Sequence, residues 1–283
     1  MPINVAFIRE VGPLRWAWRT AVRQYYKRVV KRDHNMQLPT GEWMTLPIRD
    51  HFAGEAFITG GDVDWGSEKL FFLLLGHKGV FLDVGAHIGY YSLYMLSGVL
   101  RVYSFEPDPR VFALLENNVG AKPKIETIPW AVGATAGRAR FTLERDSEVS
   151  HFSHYGEDKF RQIVVNVVTI DSFVFERGLA VEAIKIDVEG HDIEVIRGAM
   201  GVLEEQQPLV LTEAKPDAEL FALMQRISYR VHAYVRHPRT RKKTMAELFA
   251  DVPIAGETKM LFLVPHRLKR SFAQAVKSLH PIS

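Results

Sequence analysis

Residues 80–93 read VFLDVGAHIGYYSL, and this stretch decides the fold. Val80, Phe81, Leu82 and Val84 make the apolar run of a buried strand, with Asp83 near its C-terminal end. Gly85 and Gly89 then bracket a tight turn before a helical pattern begins. Glycine accepts positive φ and allows close backbone approach to a ligand, and the first N–H groups of the following helix have no intrahelical partner. A strand, a glycine turn and a helix start within fourteen residues predict a turn built to hold a nucleotide-like ligand.

Working outward, the spacing narrows the ligand. Gly-x-x-x-Gly after Asp-x is not the G-x-G-x-x-G of dinucleotide sites, which must seat a pyrophosphate on the helix terminus. It suits a cofactor that joins an amino acid to a nucleoside without phosphate, and S-adenosylmethionine is the candidate. Arg101–Phe105, RVYSF, reads as the next strand, and Glu106 ends it about 20 residues after the glycine turn, where a carboxylate can accept both ribose hydroxyls. Any one of these residues alone reads equally well as a turn or a surface charge. Their order at successive strand ends is what points to a cofactor.

The remaining pattern extends a doubly wound α/β sheet. Helix 67–76, with Ser67 as N-cap, leads into strand 80–84, followed by helix 88–97, strand 101–105, helix 109–118 and strand 124–130. Segments 138–143 and 162–168 form a β excursion whose connection carries His151 and His154. Strand 182–188, helix 191–203, strand 208–213 and a helix near 217–227 follow, and strands 229–235 and 259–264 close the sheet in antiparallel fashion. Residues 1–66 are assigned to a basic N-terminal helix and an irregular cap, and residues 67–283 to the cofactor-binding domain.

Composition sets outer bounds. A chain of 283 residues with 47% hydrophobic and 24% charged residues is an ordinary globular protein with one catalytic core and an appendage. It has no cysteine, which excludes disulfides, thiolate nucleophiles and cysteine-bound metals. No apolar run reaches the roughly 18 residues of a membrane span, and no signal-peptide core is present, so the expected location is cytoplasmic. Net charge is only +3, yet Arg15, Arg19, Arg23, Lys27, Arg28, Lys31 and Arg32 crowd a segment that also holds Trp16, Trp18, Tyr25 and Tyr26. Such a helix can lie on an anionic membrane, cover the substrate mouth, or pack on the core with its basic face in water. A second basic cluster, 236–243, reads as an exposed loop, and neither cluster has the pattern of a nucleic-acid site.

The other informative stretch is IKIDVEG at 184–190. With a side-chain period of two, Lys185, Asp187 and Glu189 share one face if the strand persists. A central parallel strand is normally apolar on both faces, so these charges must be paired and near the cleft at its C-terminal end. Glu189 or His191 can face an acceptor, and Glu213, closing the next strand, can converge on the same cleft as a proton acceptor. His87, His151 and His154 are rival bases. The scaffold alternative has Glu189 capping a helix and Lys185 pairing with Asp187. Asp187, Glu189, His191 and Asp192 are also hard oxygen or nitrogen donors suited to magnesium, but no spacing marks a metal site and none is assigned.

These residues resemble a known family, the FkbM-type S-adenosylmethionine-dependent methyltransferases. The resemblance rests on FLDVGAHIGYYSL at 81–93, VYSFEPDPRVFALLENNV at 102–119, WAVG at 130–133, IKIDVEGHDIEVIRGA at 184–199 and LTE at 211–213, in the family's order. It implies a class I methyltransferase (Rossmann-like) fold and methyl transfer to oxygen, often a hydroxyl of a sugar, glycan or other natural product. It implies that Asp83, Gly85 and Gly89, with Ala86 and His87, shape the cofactor turn. Glu106 takes the ribose beside Pro107, and Trp130, Ala131 and Val132 line the adenine. Asp187 and Glu189 match the family's acidic pair. Members commonly have Asn where this chain has His87, and the first 66 residues match weakly.

The alternatives are distinct in class. An N-methyltransferase of nucleic acid is opposed by the absence of a Pro-Pro dipeptide, and a nicotinamide dehydrogenase by the glycine spacing. A cofactor-binding scaffold or sensor is opposed by the intact acidic row.

Overall fold

The computed structural model describes residues 5–143, 151–152 and 161–279. At its centre is β3 (Val80–Val84), buried along its whole length between parallel neighbours β10 (Val181–Ile186) and β4 (Arg101–Phe105). Outside β4 lies β5 (Ile125–Ile128), and outside β10 lies β11 (Leu209–Thr212), both parallel. The sheet is completed by β14 (Leu261–Pro265), β12 (Tyr229–Arg236) and β13 (Lys243–Leu248), each antiparallel to the strand before it in the order β11–β14–β12–β13. This is the doubly wound, mostly parallel sheet with an antiparallel end that the sequence implies.

The pleat of β3 divides the core. Val80, Leu82 and Val84 face a cluster containing Phe173, Val195 and Leu220, contributed by α7 (Ile170–Arg177), α8 (Asp192–Arg197) and α10 (Ala218–Arg226). Phe81 faces the other cluster, built on α4 (Ser67–Leu73), α5 (Tyr90–Met95), α6 (Pro109–Val119) and α11 (Lys269–Leu279). Residues of the N-terminal 66 belong to that same cluster, including Met36, Leu46, Ala53 and Val63. They are ordered as a hairpin of β1 (His34–Gln37) and β2 (Trp43–Leu46) and a helix, α3 (His51–Thr59), rather than as an irregular cap. α3 starts at Asp50, whose carboxylate accepts from Ala53 N at 2.6 Å. The segment before the hairpin is helical in α1 (Val5–Val11), in α2 (Pro13–Tyr25) and in a wider turn over Tyr26–Val30.

Several sequence boundaries shift for identifiable reasons. Gly66, in the left-handed region at φ 93°, caps α4 in place of Ser67, which is its buried first residue. After β5 the chain leaves the main sheet at Pro129 and enters β6 (Ala131–Val132) of a small second sheet. That sheet also holds β7 (Gly137–Leu143), β8 (His151–Phe152) and β9 (Arg161–Val168), which form the expected excursion. His154 lies outside the described residues, and the backbone of His151 pairs with Thr142.

Helix 191–203 is broken, with α8 ending at Gly198 and α9 spanning Met200–Glu205. Gly198 packs so closely that a Cβ there would stand 2.1 Å from Gly133 O. The Asp171 carboxylate accepts from Gly201 N and Val202 N at 2.9 and 2.8 Å, restarting the helix. The basic stretch 236–243 is the turn of the β12–β13 hairpin, with Arg236 bonded to Glu257 at 2.8 Å and Lys243 3.3 Å from Glu10.

Candidate active site

The site lies where α/β folds bind ligands, beyond the C-terminal ends of β3, β4, β10 and β11. Its floor is the glycine turn. Gly85 N and Ala86 N both donate to Phe105 O, at 3.0 and 2.9 Å, which fastens the turn to the end of β4. Gly85 has φ 73°, and a Cβ on it would stand 1.9 Å from Asp187 O, so only glycine fits between β3 and the chain leaving β10. Gly89, at φ 88°, is the N-cap of α5 and does not itself line the cavity; a Cβ on it would press on Val119 and Leu115.

Glu106 is buried, and both of its oxygens are oriented by backbone. Oε2 accepts from His87 N at 3.0 Å and Oε1 from Asp108 N at 2.9 Å. Burial pushes its carboxyl up to about 7 against the pull of those two N–H groups. His87 has φ 51°, and its ring reaches Asp50 Oδ2 at 3.5 Å and meets Phe52 edge-on, so the turn is tied to α3. Pro107, Trp130, Ala131, Val132 and Phe141 line the cavity beside Glu106, giving that end an apolar slot.

β10 ends at Ile186, earlier than the seven-residue strand anticipated, so Lys185, Asp187 and Glu189 do not form one row on a strand face. Lys185 is buried and clamps three elements. Its Nζ donates to Gly85 O at 2.7 Å and stands 3.2 Å from Asp187 Oδ2 and 3.8 Å from Asp83 Oδ1. Burial works against its charge, but Asp187 and Asp83 outweigh it and hold the ammonium protonated well above the usual lysine range. Lys185 is therefore a fixed cation and not a base.

Asp83 is fully buried beneath the turn and does not line the cavity. Its Oδ2 accepts from Ser92 Oγ at 2.6 Å, and burial raises its carboxyl despite Lys185. Asp187 and Glu189 reach the cavity, the latter at its exposed rim in a left-handed turn (φ 49°) continued by Gly190. His191 occupies the N-cap position of α8 and is not a lining residue. Asp192 is buried and accepts from Thr212 Oγ1 at 3.1 Å. No group of three or more His, Cys, Asp or Glu side chains suited to a metal occurs among the described residues.

Glu213 follows β11 and extends into the cavity. Solvent reaches it through the open mouth while protein surrounds it, and this crowding, with Asp187 and Asp64 nearby, raises its carboxyl to about 8. Opposite stands a wall that sequence reasoning missed, built from the N-terminal segment and α5: His51, Phe52, Glu55, Asp64, Tyr90 and Tyr91, with Lys259. Asp64 accepts from Tyr91 Oη at 2.6 Å and pairs with Lys259 at 2.9 Å, and Glu68 accepts from Tyr90 Oη at 3.1 Å and from Asp64 N at 2.7 Å. The only sequence signal for this wall was polar residues, Asp64 and Glu68, beside an apolar helix pattern.

A sheet ordered β13–β12–β14–β11–β10–β3–β4–β5, with a glycine turn after its central strand and a buried acid after the neighbouring one, defines a class I methyltransferase. The model of the methyltransferase FkbM domain matches residues 83–235, more than half of the chain. The chain belongs to the FkbM methyltransferase family.

A hexuronic acid methyltransferase, AglP, of Haloferax volcanii is 28% identical over 127 residues, 44% of this chain and 52% of that protein. The chain thus spans about half the length of this curated relative. Among solved structures, an FkbM methyltransferase of Methylobacillus flagellatus is 18% identical, with 74% of this chain and 52% of that chain aligned at a TM-score of 0.41. The M. jannaschii tRNA m1G37 methyltransferase is 12% identical over 82% of this chain and 57% of its own, at 0.43.

S-adenosylmethionine is the cofactor of this fold, and the residues present fit it. A glycine that tolerates no Cβ lets the turn pack directly against the chain leaving β10, a buried carboxylate faces the cavity, and an apolar slot lies beside it.

Proposed function

We propose that this protein transfers a methyl group to a hydroxyl of a sugar, glycan or other natural-product acceptor. The observation that carries this reading is the convergence of Glu106, Asp187 and Glu213 on one cleft whose far wall is polar and aromatic. When bound, S-adenosylmethionine would supply an electrophilic methyl on a sulfonium sulfur, which keeps the carbon–sulfur electron pair and leaves as a neutral thioether. Glu106 would take the ribose hydroxyls, Trp130, Ala131 and Val132 with Phe141 would hold the adenine, and the turn of Gly85, Ala86 and His87 would support the nucleoside. Asp83 and Gly89 act through the turn's shape rather than by contact.

Asp187, fixed by Lys185, would border the methionine part. Glu213 is the proton acceptor. A carboxyl raised to about 8 is a stronger base than an ordinary glutamate, suited to the proton that a hydroxyl loses as its oxygen bonds to the methyl carbon. Glu189 at the rim contacts the acceptor rather than the reacting atoms. Much of the rate comes from holding the acceptor oxygen in line at about 3–3.5 Å. The polar wall of Asp64, Tyr91 and Lys259 offers donors and acceptors of the kind a polyhydroxylated ring requires, and the hexuronic acid specificity of the Haloferax relative supports a sugar.

The test is incubation with methyl-labelled S-adenosylmethionine and a panel of sugars, uronic acids, hydroxylated aglycones and amines. Label in an ether-linked methyl group is the expected result. Label on nitrogen alone, or tight cofactor binding without transfer to any acceptor, overturns the proposal in favour of an N-methyltransferase or a sensor.

A further inference from the structure

The basic N-terminal helix is oriented opposite to a helix that merely covers a core. Such a helix turns its apolar stripe inward. Here the inward side of α2 is led by arginines. Arg23 is buried, and its guanidinium contacts His34 Nδ1 at 3.2 Å and donates to Leu46 O, Pro47 O and Asp50 O. Burial, aided by Arg23, pulls the His34 imidazole down to about 4, so His34 stays neutral and can accept. Arg19 donates to Phe57 O at 2.9 Å. Trp16, Val22 and Tyr26 are half-buried around them.

The outward side is apolar. Leu14, Trp18 and Tyr25, with Val29 in the wider turn that follows, are 88, 71, 55 and 65% exposed. With Ala21 their spacing is four, three, four and four residues, which places them on one face of a helix. Arg15, Lys27, Arg28, Lys31 and Arg32 are exposed around this stripe, and no Asp or Glu occurs from Val11 to Arg32.

We propose that this face docks on an anionic lipid bilayer, with the helix lying in the interface plane. Trp and Tyr favour the headgroup level, and a helix with a cationic rim and an aromatic apolar face binds there by burying the face and attracting anionic headgroups. Among the described residues no helix is long and apolar enough to cross a membrane, so the contact is peripheral. A second copy of this chain is the weaker occupant, because a two-fold contact would bring the two cationic rims together. α2 packs on α3, whose His51, Phe52 and Glu55 line the active-site cleft, so the docking element is one helix removed from the acceptor wall.

The experiment is flotation of the full chain with vesicles of phosphatidylcholine alone or containing phosphatidylglycerol, together with light scattering of the free protein. Two variants accompany it, Trp18→Ser/Tyr25→Ser and Arg15→Gln/Lys27→Gln/Arg28→Gln, each checked for wild-type thermal unfolding. The expected result is flotation with the anionic vesicles only, weakened by salt, by loss of the aromatics, and about five-fold for each cation removed. Failure of the folded wild type to float overturns the proposal, as does undiminished binding by the aromatic variant. Concentration-dependent dimerisation that the aromatic variant abolishes, without vesicle binding, replaces the bilayer with a second copy. A monomer that binds neither points to a protein partner and also overturns it.

Discussion

Replacing Lys185 with methionine should destabilise the protein severely, and the loss should depend on pH. Asp83 Oδ1 makes no hydrogen bond, and the Lys185 ammonium 3.8 Å away is the nearby charge that offsets it. At an effective dielectric of about 20, a pair at that distance is worth about 4 kcal/mol, and removing one partner of a buried pair typically costs about 3–5 kcal/mol. Asp187, nearer to the ammonium at 3.2 Å, adds to this loss, discounted for the third of its side chain that solvent screens. At roughly 2–4 °C per kcal/mol for a domain of this size class, the melting temperature should fall by about 6–20 °C at pH 7.

The pH dependence follows from Asp83, whose folded-state carboxyl is already raised by burial and rises further once Lys185 is gone. A carboxyl raised on folding is most compatible with the fold when protonated, and its penalty grows as pH climbs from the unfolded value toward the folded one. The deficit of Lys185→Met should therefore shrink on acidification, and adding Asp83→Asn should restore much of it at pH 7. Calorimetric melts of wild type, both single variants and the double variant between pH 5 and 8 decide the matter. A Lys185→Met protein as stable as wild type, or a double variant no better than the single, refutes the clamp.

Glu106→Ala should weaken S-adenosylmethionine binding by about 1–3 kcal/mol, roughly 5- to 150-fold by calorimetry, and unchanged affinity in a folded variant removes the ribose assignment. Because its carboxyl is raised to about 7 and the ribose hydroxyls bind the ionised form, wild-type affinity should decline as pH falls below about 7. Gly85→Ala should abolish cofactor binding or folding, since the new Cβ meets Asp187 O at 1.9 Å; a wild-type titration curve would contradict the close approach described. Glu213→Gln should spare cofactor affinity and lower kcat by about 10²–10⁴-fold. The wild-type rate should rise with pH through about 8 as this group ionises, and a flat profile that the variant shares would exclude it as the base.

The central sheet was legible because its strands are continuous apolar runs punctuated by glycine, a pattern that buried parallel strands impose. Glu106 and the glycine turn were legible for the same reason, since both sit at strand ends that local pattern locates. What escaped was set by distant contacts. β13, KTMAEL, has no apolar period of its own and becomes a strand only by pairing with β12. The break at Gly198 depends on Gly133, sixty-five residues earlier in the chain. Glu189 leaves the anticipated charged face because the strand ends at Ile186 and the chain turns left-handed at Glu189 itself, a change that the alternation of IKIDVE conceals. The polar wall of the cavity escaped for a related reason: Asp64 and Lys259 are far apart in sequence and gain meaning only as a pair.

The hairpin and α3 share their apolar interior with Phe81 and Tyr90, on the strand and helix that flank the glycine turn. The wall proposed to meet the acceptor and the turn proposed to hold the cofactor are therefore one solid. Grafting another protein's first 66 residues onto this sheet to change its acceptor would repack the ground under the nucleoside as well. Successful chimeras will need their junctions drawn through the core, with Ala53, Val63, Phe81 and Tyr90 exchanged as a set.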